Sequence, residues 1–190
     1  MGAGLSVEGI SSIDDQTLAS FKSFVLIFDS ETSSARMPSI NDLEAQALKR
    51  FVLRGGSVAI FFGHGATYPS ELSNVFAVDM QRYCENEGSV SFTSELPSAI
   101  QSGPFGVLPA SLGWSHNCHE LVAPIADSKA VLLAKSTARN EAAYIPPGAL
   151  GSGSGPVFFF GDWHWSYSYY LEAEGWGTFF KNSIMYLMNH

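Results

Sequence analysis

The chain has 190 residues, 46% of them hydrophobic and 13% aromatic, which suits one domain with a full core. Ten basic residues against 18 acidic ones give a net charge of -8, and no run of Lys or Arg occurs. That argues against nucleic acid or an anionic membrane as the main partner. The longest apolar runs fall far short of the roughly 20 residues that span a bilayer. The start, Met1-Gly2-Ala3-Gly4-Leu5, has neither the basic region nor the apolar core of a signal peptide, so a cytoplasmic location is the default expectation.

Taken in chain order, Leu5 to Ile10 reads as a short first strand. Ser12 is placed to cap a short helix whose apolar face is Ile13, Leu18 and Phe21. Phe24-Val25-Leu26-Ile27-Phe28 is a buried strand that ends at Asp29-Ser30-Glu31-Thr32. A helix capped by Ser39 follows, with Ile40, Leu43, Ala47, Leu48, Phe51 and Val52 at helical spacing. Asp42 and Glu44 in its first turn and Arg50 and Arg54 near its end complement the helix dipole. Gly55-Gly56 stops it, and the continuous apolar strand Ser57–Phe62 begins at once. Strand, helix and strand with short joints make a parallel crossover unit. The strand runs into Gly63-His64-Gly65, where flanking glycines allow a tight turn that presents His64.

Residues 69–76 read as a short helix, and 79–120 carry weaker signals. Ser89–Phe92 alternates like an exposed or edge strand, and Gly103-Pro104-Phe105-Gly106 is a turn. Strands are expected over 120–125, 130–135 and 141–145. Pro146-Pro147-Gly148 breaks the chain and Gly151–Gly155 turns it. Val157–Phe160 is a second fully buried strand, ending at Gly161-Asp162-Trp163-His164-Trp165. A last helix carries Trp176, Phe179, Phe180, Ile184, Leu187 and Met188 on one face. The expected architecture is α/β: a flavodoxin-like three-layer sandwich with a mainly parallel central sheet.

This order of parts resembles the class I glutamine amidotransferase-like superfamily, and its divergent ThuA-like branch most. Three segments carry the likeness: Leu53-Arg54-Gly55-Gly56-Ser57-Val58-Ala59-Ile60, the turn at Gly63-His64-Gly65, and 150–164 followed by the closing helix with Phe180-Lys181-Asn182. The resemblance implies a single domain over 1–190, with the family's first strand short or absent before Leu5. It implies a nucleophile elbow at position 64 and a catalytic histidine at His164. The departures are as informative. The family's elbow carries a cysteine, and here His64 stands there. The Pro-Glu that follows the family's histidine is replaced by Trp165-Ser166. Glutamine hydrolysis by a cysteine thiolate is therefore not expected.

In open α/β sheets, ligands bind beyond the carboxyl ends of the strands. That rule gathers His64, His164, Asp162, Asp29 and Glu31 at one rim, where a histidine beside a carboxylate can act as a general base near neutral pH. The aromatics Trp114, Trp163 and Trp165 can stack on a sugar ring or planar ligand. The leading expectation is a degenerate amidotransferase-like domain without glutaminase activity, binding a small polar ligand such as a carbohydrate there. One alternative is a hydrolase using His64 and His164 as acid and base. No cofactor is expected on the leading reading; on the metal version of the hydrolase, zinc is held by His64, His116, His119 and His164. A third reading is a protein-interaction module, with a homo-oligomer left open. Whether Cys84 and Cys118 form a bridge or stay as free thiols is equally open.

Overall fold

The computed structural model describes residues 9–10, 12–28, 40–62, 68–83, 88–114, 119–136, 140–161 and 175–190, with backbone alone at 27, 28, 82, 83, 114 and 119–121. The first strand expected over 5–10 falls mostly outside them. Helix α1 (Asp15–Leu18) is capped by Asp14, whose carboxylate accepts the Thr17 N–H at 2.8 Å. Ser12, the expected cap, donates to Asp14 instead at 2.9 Å. Strand β1 (Ser23–Phe28) follows.

Helix α2 (Asp42–Leu53) is capped by Asn41, a correction to the expected Ser39, which lies outside the described residues. The Asn41 side chain accepts from the N–H groups of Leu43 and Glu44, while the Glu44 carboxylate takes the Asn41 N–H. That reciprocal box satisfies three donors where a lone serine would satisfy one or two. The glycine pair works as expected. Gly55 has φ +96°, and a Cβ on Gly56 would lie 2.4 Å from the Phe51 ring, so only glycine lets the chain double back under α2. Strand β2 (Ser57–Phe62) then runs fully buried.

Helix α3 (Ser70–Phe76) ends at Ala77 in the left-handed region. The segment 78–114 holds β3 (Val78–Tyr83), β4 (Gly88–Phe92), helix α4 (Ser98–Gln101), the small hairpin β5 (Ser102–Gly103) and β6 (Gly106–Val107), and β7 (Ser111–Trp114). Then come β8 (His119–Pro124), β9 (Val131–Lys135), β10 (Asn140–Ile145), β11 (Val157–Phe160) and helix α5 (Trp176–Met188).

Among the described residues, seven strands form one sheet in the order β1-β2-β11-β10-β9-β4-β7. It is parallel across β1, β2 and β11 and antiparallel beyond. The expected mainly parallel sheet is thus corrected to a mixed one. Parallel neighbours need a long crossover, and α2 supplies one between β1 and β2. The short links 136–139 and 146–156 only turn the chain back, so β9, β10 and β11 pair as hairpins. Ser89–Phe92, read as an exposed or edge strand, lies inside the sheet between β7 and β9. Strands β3 and β8 pair separately as an antiparallel ribbon.

Side-chain alternation along β2 and β11 sends residues to two cores. Val58, Ile60, Phe62 and Phe159 pack with α2, α3 and the ribbon through Leu48, Phe51, Leu72 and Val122. Ala59, Phe61, Phe158 and Phe160 pack with α4 and α5 through Ile100, Trp176, Phe179 and Leu187. Both faces of the sheet are therefore covered. The ring of Phe61 stacks on that of Phe160 at 4.6 Å, which locks β2 to β11.

Candidate functional site

The site begins with register. Phe28 pairs with Phe62, and Phe160 pairs with Phe61, so β1, β2 and β11 end side by side at one edge of the sheet. The next residues in sequence are Asp29, Gly63-His64 and Gly161-Asp162. Asp29, Glu31, His64, His116, Asp162, Trp163, His164 and Trp165 themselves lie outside the described residues, as do Cys84 and Cys118. What the fold supplies is the convergence of the strands that lead into most of them.

The same edge gathers other strand ends. Antiparallel pairing brings Asn140 of β10, Lys135 of β9, Gly88 of β4 and Trp114 of β7 to it. Trp114 stands on the outermost strand, four positions from β11, which is about 19 Å at the usual strand spacing. It is therefore not beside the ends of β1 and β2. His119 opens β8 in the separate ribbon, opposite Tyr83. The proposed zinc ligand His119 thus belongs to a different sheet from the strands preceding His64 and His164.

Two buried polar side chains at this edge were not singled out from sequence. Glu141 of β10 is 1% exposed, and both carboxylate oxygens are sealed from solvent. It sits at a register shift between β9 and β10, and its carbonyl accepts the Gly161 N–H at 2.9 Å where β11 leaves the sheet. Bulges of this kind re-aim side chains and recur beside functional sites. Tyr68 enters α3 with its ring against Phe62, the last residue of β2, at 5.4 Å. Burial, with the charge of Asp79 adding to it, drives the Tyr68 phenol far above its ordinary range, so it keeps its proton. A glutamate directly before the apolar run Ala-Ala-Tyr-Ile of β10 is the signal that could have found Glu141.

A cleft of about 370 Å³ opens at the opposite edge, where β1 and β2 begin. Phe21, Lys22, Phe51, Arg54 and His190 line it. Residues at the ends of helices α1, α2 and α5 contribute to it. No sequence-predicted site residue contributes to it. Among the described residues there is no cluster of three metal-ligating side chains. No described helix is long and apolar enough to cross a membrane.

No family model matches this chain, and no curated protein does. Solved structures do match in shape. The mmIFT52 N-terminal domain is similar with a TM-score of 0.65 at 15% identity, over 94% of this chain and 82% of that one. The cytoplasmic protein STM1381 from Salmonella typhimurium LT2 is similar at 0.60 and 16% identity, over 93% and 76%. Gan42B, a GH42 β-galactosidase, reaches 0.51 at 10% identity over 90% of this chain and only 22% of the enzyme. At these identities the likeness is one of fold alone.

Proposed function

We propose that this chain is a divergent, flavodoxin-like relative of the glutamine amidotransferases that has no glutaminase activity and binds a small polar ligand. The binding residues are His64, Asp162 and His164, with Asp29, Glu31, Trp163 and Trp165 around them. The observation that carries the reading is the parallel register of β1, β2 and β11, whose adjacent carboxyl ends run into these residues. Histidine in place of cysteine at position 64 removes the thiolate that glutamine hydrolysis needs. Clustered tryptophans beside carboxylate and imidazole suit a ligand with an apolar ring face and hydroxyl edges, so neutral sugars are the first class to test.

The test is calorimetric titration with a panel of neutral mono- and disaccharides, alongside a glutamine hydrolysis assay and elemental analysis. The expected result is saturable sugar binding that is lost in His64→Ala and His164→Ala variants of unchanged melting temperature, with no glutamine turnover. Glutamine hydrolysis above background, or no binding anywhere in the panel, would overturn the reading. Stoichiometric zinc that disappears in the double histidine variant would replace it with a metal-assisted hydrolase.

A further inference from the structure

The cleft where β1 and β2 begin contains none of the residues proposed for ligand binding. Its volume of about 370 Å³ lies at the small end of the range for ligand sites. Leu18, Phe21, Phe51 and Met188 give it apolar walls, and Lys22, Arg54 and His190 are its basic members. Among the described residues no Asp or Glu lines it, in a chain whose net charge is -8. A helix's carbonyl end attracts cations, and end residues of α1, α2 and α5 meet here. That would account for the basic residues if those carbonyls were open, but they are taken. The Gly56 N–H goes to the Phe51 carbonyl at 3.0 Å, those of Gly55 and Gly155 to Val52 at 2.9 Å, and that of Phe21 to Leu18 at 3.2 Å. The Ser57 hydroxyl donates to the Leu187 carbonyl at 2.8 Å. His190 Nδ1 meets the Tyr186 carbonyl at 2.8 Å, so Nε2 is the ring nitrogen left for a ligand.

The charges are also left over. Lys22 is exposed and has no ion pair among the described residues. Arg54 gives one N–H to Asp15, but Asp15 is shared with Arg50, so that group of three carries a net positive charge. We propose that this cleft is a second binding site, for a small organic oxyanion whose phosphate or carboxylate head meets Lys22 and Arg54 and whose flat apolar body lies against Phe21 and Phe51. A guanidinium presents several N–H donors in one plane and an ammonium three more, which suits an oxygen-rich anionic head. Apolar walls select against a bare inorganic ion. The site shares no residue with the one proposed at the other edge of the sheet, and the failure of either leaves the other standing.

The test is a titration of the full chain followed by amide NMR, with phenyl phosphate, benzoate, inorganic phosphate and benzyl alcohol as probes. Phenyl phosphate and benzoate should give saturable shifts confined to the amides of 18–22, 54–56 and 188–190. The two arms show which head group is preferred. Inorganic phosphate and benzyl alcohol, which each lack one half of the ligand, should bind at least about 10-fold more weakly. Lys22→Gln removes an exposed charge and should weaken both aryl anions about 10-fold at unchanged melting temperature. Lys129→Gln, at an exposed lysine between β8 and β9, should leave them unchanged. No saturable shift with either aryl anion, or shifts centred elsewhere, would overturn the proposal. Benzyl alcohol binding as well as benzoate would reduce the cleft to an apolar hollow. Equal losses in the two lysine variants would mean that the anions answer only to overall charge, and would overturn it as well.

Discussion

Asn182 shows how much one side chain can organise here. It is fully buried on α5, accepts the Phe105 N–H at 3.1 Å and donates to the carbonyls of Ile100 at 2.9 Å and Gly106 at 3.1 Å. One amide therefore ties the last helix to α4 and to the β5–β6 hairpin. Gly103 makes the room: a Cβ there would lie 2.4 Å from the Asn182 Oδ1. Replacing Asn182 by leucine keeps the branched outline but not the amide, and it leaves the buried Ile100 carbonyl without its donor, while Phe105 and Gly106 are exposed enough to turn to water. One buried unsatisfied carbonyl costs about 1–3 kcal/mol, and that is the loss expected. Urea denaturation measures it, and a loss under about 1 kcal/mol would mean that the clamp is not structural. Asn182 belongs to the segment Phe180-Lys181-Asn182 that suggested the family's closing helix, but its role as a clamp is visible only in three dimensions. Glu141 is a second such case, an acidic residue beside an apolar run whose burial only the packed strands reveal.

At the scale of elements, α1 and α2 are joined by a small ionic knot. Asp15 accepts from Arg50 Nε at 2.9 Å and from Arg54 at 2.9 Å. The hydrogen bond from Arg50, then the one from Arg54, holds the Asp15 carboxyl below its ordinary range. A carboxylate lowered in the folded state stabilises above its unfolded value, near 3.9, and that contribution fades as pH falls through the lower folded value. Asp15→Asn should therefore lower the melting temperature slightly at pH 7, with the gap shrinking as pH falls below about 4. Melting curves from pH 7 to pH 2 check this, and an equal gap at both ends would show that the effect is packing. The effect is small because the three side chains are about half exposed. Helix α2 is additionally fixed by its own sequence, through the Asn41 box and the apolar stripe of Ala45, Leu48, Phe51 and Val52.

The whole molecule is held by the central strands acting between two cores. Phe159 serves the core under α2 and α3, and Phe158 and Phe160 serve the core under α5. Phe160 is the most consequential, because it stacks on Phe61, meets Phe179 edge-on at 5.9 Å and precedes the point where β11 leaves the sheet. Phe160→Ala should cost about 3–5 kcal/mol in a denaturant titration, with Phe160→Leu well below that. A cost under about 1.5 kcal/mol for the alanine variant would mean that the second core closes without this ring. The same edge carries both stability and the proposed ligand site, so mild variants are the informative ones for function.

The sequence alone determined the elements whose signal is local: α2, the glycine stop, β2, β11 and the closing helix. Their apolar periodicity and turn residues depend on near neighbours in the chain. It also determined which residues follow the carboxyl ends of β1, β2 and β11, and so the list of candidate site residues. Only the tertiary structure decided what those strands pair with. Strand direction depends on connection length and on partners far away in sequence, which is why the sheet is mixed and not mainly parallel. The same distance in sequence hid the separate β3–β8 ribbon, put Trp114 on the outer strand, and brought Glu141 beside Gly161. A carboxylate looks exposed in a sequence until strands from elsewhere in the chain close over it.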